Sequence, residues 1–169
     1  MNNETFLEKF VSTEIGGKNT AIHAYDKMMW MVRSGYLTLV FAGWGFVIKA
    51  ALENSLDIQF IKPYILLLSS FSIVLAFGAF LIDRNYARRK FRVITAVNEL
   101  IQLVLTHDIN KADLNVQTKL TLLLSISGDA DNTTYQTPAF RNEMFVSNLI
   151  YLIPSILISI ISLGYTIKY

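Results

Sequence analysis

The residues in this chain with side chains suited to chemistry are few, and the densest set is basic. Arg84, Arg88, Arg89, Lys90 and Arg92 place five cations within nine positions. Guanidinium forks match pairs of phosphate oxygens, so Arg88, Arg89 and Arg92 are candidate contacts for a phosphate-bearing ligand. The same cations, directly after an apolar run, also suit an anchor on anionic lipid, worth about 1 kcal/mol per cation near the surface. A net charge of +2 is too small to point to nucleic acid, and none is expected. His23 and His107 are the only histidines and neither has ligand spacing to a second metal-binding side chain. Asp129, Asp131 and Asn132 have the opening acids of a calcium loop, without the Gly and the distal Glu that complete one. There is no Cys, hence no disulfide, thiolate metal site or Cys nucleophile. No phosphate-loop, dinucleotide or nucleophile-elbow pattern occurs. The expectation is a protein that is not an enzyme and has no metal and no cofactor.

The elements that hold these residues are apolar helices. The chain is 53% apolar and 17% charged, against about 45–50% and about 25% in an average soluble domain. Pro63 to Ile82 is an uncharged run of 20 residues, long enough to cross a bilayer as a helix. Gly35 to Leu52 is a shorter candidate, with 14 uncharged residues before Lys49, and Met144 to Ile167 is an uncharged run of 24. Lys18, Lys27 and Arg33 precede the first span, and the basic run follows the second. The loop between them, from Glu53 to Lys62, is nearly neutral. Positive residues are retained on the cytoplasmic side, which predicts a cytoplasmic N-terminus and a cytoplasmic middle segment. Asn132-Thr133-Thr134 is a glycosylation sequon that this topology leaves in the cytoplasm.

Helical spacing sets further expectations. Gly16-Gly17 should end any helix begun near Thr5, and a new helix should start near Thr20. It would be either an interfacial helix or the cytoplasmic end of the first span. Ser34, Gly35, Thr38, Ala42 and Gly45 form a small-residue face on that span. Ser69, Ser72, Ala76 and Ala79 form another on the second, ending one step later at Asp83, whose charge Arg84 or Arg88 should neutralise. Asn148, Ser155, Ser159, Ser162 and Thr166 make a polar stripe on the third, which Pro154 should kink. These seams suit helix packing, and the alternative is a wet path. Phe91, Ile94, Val97, Ile101, Val104 and Leu105 predict an amphipathic helix running on from the second span, broken near His107 to Asn110. A second helix is expected over 113–127. The predicted fold class is an all-α membrane protein: three transmembrane helices, with a small helical cytoplasmic segment between the second and third. Its regions are 1–34, 35–82, 83–143 and 144–169. The segment 83–143 is too small to bury much apolar surface alone, so its two helices should pack on each other, on the 20–34 helix or on a neighbouring subunit.

This layout resembles the small multi-pass transmembrane effectors of bacterial antiphage defence systems. These include the two-span effectors linked to nucleotide second messengers and the transmembrane effectors of pyrimidine-cyclase systems. The local match is Asp26-Lys27 shortly before the first span. Here the pair is followed by Met28-Met29-Trp30 where the family has small residues. The resemblance implies a homo-oligomer in the bacterial inner membrane that loses its integrity to a trigger, with a cyclic nucleotide as the signal and Asp26 and Lys27 as further ligand contacts. The alternative is a membrane scaffold or accessory subunit of a larger complex.

Overall fold

The computed structural model describes residues 3–53, 58–106, 113–128 and 135–168, and side chains within 9–49, 62–106, 113–128 and 135–164. The described residues form four helices: α1 (Asn3–Glu53), α2 (Ile58–Thr106), α3 (Leu114–Ser125) and α4 (Pro138–Lys168). Three of them, α1, α2 and α4, are long and apolar enough to cross a membrane. The chain is an all-α membrane protein with three candidate spanning helices and a short helix between the second and the third.

Local sequence explains most of the boundaries. Thr137 caps α4, its hydroxyl accepting from the Phe140 amide at 3.2 Å, and Pro138 takes the first helical position, where a missing amide costs nothing. Asp113 begins α3 through its backbone carbonyl, which accepts from Val116 at 2.9 Å and Gln117 at 3.1 Å. The rod expected from the second span holds, since α2 runs unbroken through the basic cluster to Thr106. Residues 107–112, where the break was placed, lie outside the described residues. So do 129–134, with the calcium-like acids and the sequon. The helix of α4 continues through Pro154.

An expected helix boundary fails. The helix of α1 continues through Gly16-Gly17. Each glycine costs about 0.5–1 kcal/mol in a helix interior, too little to break a helix that is packed on both sides of the pair. Before the pair, Val11 and Ile15 lie against Leu100, Leu103, Leu120 and Leu123; after it, Lys18 bonds the Leu124 and Ile126 carbonyls and Tyr25 packs on Tyr86, while both glycines face outward.

The chain divides into two compact units. The first joins Met1–Met28 to Asn85–Glu143, and its core is Val11, Leu100, Leu103, Leu120 and Leu123. Residues on the early turns of α1 thus supply the partner that α3 and the end of α2 need. Lys18 finishes the arrangement: its ammonium donates to the carbonyls of Leu124 at 3.2 Å and Ile126 at 2.6 Å, closing the C-terminal end of α3.

The second unit joins Met29–Arg84 to Met144–Tyr169 and contains the spans. Tyr36, Val40, Ala76, Ala79, Tyr151 and Ile158 form its core. Phe41, Phe46, Leu67, Val74, Ile160 and Leu163 face outward, which is the pattern of helices solvated by acyl chains. Small residues sit where helices meet. On α1, however, the close approach is made by Gly43, where a Cβ would stand 3.2 Å from a Leu68 methyl carbon. The face of Gly35, Thr38, Ala42 and Gly45 is exposed within the unit.

Candidate functional site

In the spanning unit, one ionic cluster joins all three long helices. Ser69, Ser72, Ala76, Ala79 and Asp83 fall on one stripe of α2, and every one of them is buried, Asp83 completely. Arg33 of α1 meets that carboxylate with two prongs. Its Nε lies 3.2 Å from Oδ1 and 3.1 Å from Oδ2, and its Nη2 lies 3.1 Å from Oδ2. The Arg33 side chain is 12% exposed. Ser147 of α4, itself fully buried, donates its hydroxyl to the same carboxylate. Three helices therefore satisfy one desolvated charge.

This corrects the expected partner of Asp83. Successive residues on a helix diverge by about 100°, so Arg84 points elsewhere and is exposed. Arg88 is turned to Tyr135 instead. The cation that does pair with Asp83 had been read only as part of the basic flank of the first span.

One turn along from Arg33, the Tyr36 hydroxyl lies 3.4 Å from the Tyr151 carbonyl, to which it donates, and 3.3 Å from the Ser155 hydroxyl. The Tyr36 and Tyr151 rings stand 5.0 Å apart, with Phe80 closing on Tyr151 at 6.2 Å. The buried Tyr151 hydroxyl lies within electrostatic reach of both Asp83 and Arg33. Farther along, Ser69 and Ser162 join α2 to α4 through their hydroxyls. The Trp44 indole lies 3.4 Å from the Ser72 hydroxyl and donates to it.

The polar stripe of α4 is divided by this packing. The inward face is Ser147, Tyr151, Ser155, Ile158 and Ser162, so the tyrosine and the isoleucine set the helix's rotation as much as the serines do. Asn148 is exposed and Ser159 half-buried. Both line, with Ser155, an apolar groove of about 450 Å³ between α2 and α4 walled by Ile73, Phe77, Phe80 and Leu152. The Thr166 side chain lies outside the described residues.

The other predicted residues are in the first unit. Arg88 and Arg92 both face the ring of Tyr135, their guanidinium carbons 6.0 Å and 5.2 Å from its centroid. Arg92 also donates to the Gly128 carbonyl at 3.3 Å. Gly128 is tightly enclosed: a Cβ there would lie 2.3 Å from the Tyr25 hydroxyl and 3.0 Å from the Cβ of Arg89. Asp26 does not join the arginines, because its carboxylate is held by Lys90 at 2.6 Å. Lys27 is exposed. Tyr25 and Tyr86 pack with ring centroids 6.4 Å apart.

Sequence reasoning missed Arg33, Ser147, Tyr135 and Lys18. A signal existed for Arg33 alone: an arginine beside a span implies a partner when another span carries a carboxylate. Nothing local marks Ser147 above the other serines of α4. Among the described residues no group of His, Cys, Asp or Glu is arranged to hold a metal ion.

Chemically, the hydroxyl that lies beside the carboxylate, that of Ser147, is fully buried. Its carboxylate already accepts from Arg33 and Ser147. What such a cluster does well is fix helix register, and it gives way as a unit when any member moves. No protein-family model matches the chain, and neither a curated protein nor a solved structure matches it.

Proposed function

We propose that this protein is a non-enzymatic effector of the bacterial inner membrane, with a cytoplasmic N-terminus, whose three spans are latched in a resting state by Arg33, Asp83 and Ser147. The observation that carries this reading is the fully buried carboxylate shared by α1, α2 and α4. A fully desolvated charge is costly, and a hydrophobic core would hold three helices together without it. A charge pair differs from such a core in being all-or-none: once separated, each partner favours a different arrangement of the helices. That property suits a protein that must stay tight and then yield.

Two further features support the reading. The helices α1 and α2 continue without interruption from the first unit into the spans, so a signal received by the first unit has a continuous element to act on. The core of the spanning unit is filled by Tyr36, Val40, Ala76, Ala79, Tyr151 and Ile158, so a path for ions calls for rearrangement or for assembly of several copies. The exposed small-residue face of α1 is the surface for that homo-oligomer, and the trigger is a phosphate-bearing signal such as a cyclic nucleotide. In this reading the protein serves antiphage defence.

One observation favours a second reading, that of scaffold or accessory subunit. Arg88, Arg92 and Asp26 already contact their own chain, as expected of residues that shape a docking surface rather than receive a signal.

The test is membrane potential and dye entry in bacteria expressing the chain at controlled levels, with and without phage challenge. Depolarisation that follows challenge supports the effector. Cells that stay polarised under both conditions, with a stoichiometric partner recovered from them, support the scaffold.

A further inference from the structure

We infer that Arg88 and Arg92 form a binding site for a phosphate group. The two guanidinium groups lie one helical turn apart on α2, where like charges repel. Both are half-buried, and both are set against one face-forming ring, Tyr135. The Gly128 carbonyl gives Arg92 one acceptor. The Nε of Arg88 and the Nε of Arg92 are buried and have no hydrogen-bond acceptor among the described residues. The Asp26 carboxylate pairs with Lys90. Buried N–H donors on a charged group are normally satisfied, and leaving two in one place is costly.

An anion drawn to the paired positive charge would supply these acceptors once the two side chains turn toward it. A carboxylate offers two oxygens and fills a single guanidinium fork. Inorganic phosphate or a phosphate monoester offers three or more, enough to bridge two forks one turn apart. The Tyr135 ring lies against both guanidinium groups before the anion arrives, and holding them in place lowers the ordering cost of binding. The phosphate is carried either by a soluble nucleotide or by a lipid headgroup. The site deepens the effector reading by naming the chemistry of its trigger, yet binding is measured without any cellular activity and stands or falls separately.

The test uses the full-length chain. In neutral detergent, calorimetry with sodium phosphate and with nucleoside 5′-monophosphates reads the soluble source. In nanodiscs, thermal unfolding with phosphatidic acid against phosphatidylserine, at equal charge, reads the lipid source. Sodium acetate at matched ionic strength controls for screening. The expected result is saturable binding or stabilisation by a phosphate-bearing probe, at least tenfold weaker in R88K/R92K, which keeps the charges and removes the forks. Calorimetric binding assigns the nucleotide, and stabilisation by phosphatidic acid alone assigns the lipid. An equal response to acetate, an undiminished response in R88K/R92K, or no response to either class overturns the site.

Discussion

Arg33 and Asp83 lie 50 residues apart in sequence and form a bidentate ion pair inside the spanning unit, with nitrogen-to-oxygen distances of 3.1–3.2 Å. The carboxylate has no exposure, so its stability depends wholly on the donors around it. Removing one partner strands a buried charge at a cost of about 3–5 kcal/mol, whereas replacing both by apolar groups of similar size is close to neutral. The account therefore predicts a strongly non-additive cycle. D83N and R33M each lower the unfolding free energy in a bilayer mimic by about 3 kcal/mol or more, and R33M/D83L recovers most of the loss. S147A, which removes one donor of several, costs about 1–2 kcal/mol. Additive losses in the double variant would show that the two residues act separately.

Gly16 and Gly17 offer a sharp test of the helix that continues through them. Each is exposed in a helix interior and has nothing within 4 Å of where a Cβ would be. In that setting alanine stabilises by about 0.5–1 kcal/mol per site, largely by restricting the unfolded chain. G16A/G17A should raise the unfolding temperature of the full chain and leave its helix content unchanged or slightly higher. A lower unfolding temperature would mean that the backbone turns at this pair.

Gly16-Gly17 also shows what a sequence leaves illegible. The spans, the rod of α2 and the short helix between spans were readable because apolar runs and 3.6-residue spacing are local properties. The seam Ser69 to Asp83 was readable for the same reason. Whether a glycine pair ends a helix depends on what Val11 and Ile15 pack against, and those leucines are about 90 to 110 residues away. The partner of Asp83 was missed because nearness along the chain favoured Arg84 and Arg88. Helical geometry turns both away, and a cation on another helix takes the place. The stripe on α4 was read one position off at Asn148, because polarity alone cannot give the rotation that Tyr151 and Ile158 impose.

Lys18 makes the first unit sensitive to alkaline pH. Burial lowers its pKa from the ordinary 10.5, and the charge of Glu14 opposes that shift in part. Between the lowered value and 10.5 the unfolded chain binds more protons than the folded one, so stability rises with pH across that window. Below the lowered value Lys18 is charged in both states and contributes no slope. Thermal unfolding followed as the pH is raised toward the ordinary lysine pKa of 10.5 should show the rise, and K18M should lack it. An identical slope in K18M would assign the pH dependence to other groups.

The most direct measurement of the latch is ion flux in reconstituted liposomes. Wild-type protein and D83N are incorporated at equal density, with orientation checked, into vesicles loaded with a self-quenched dye. The account predicts tight vesicles for the wild type, rapid leakage for D83N and restored tightness for R33M/D83L. Vesicles of D83N that remain as tight as the wild type, with the variant folded and inserted, would contradict the claim that Arg33 and Asp83 hold the membrane closed.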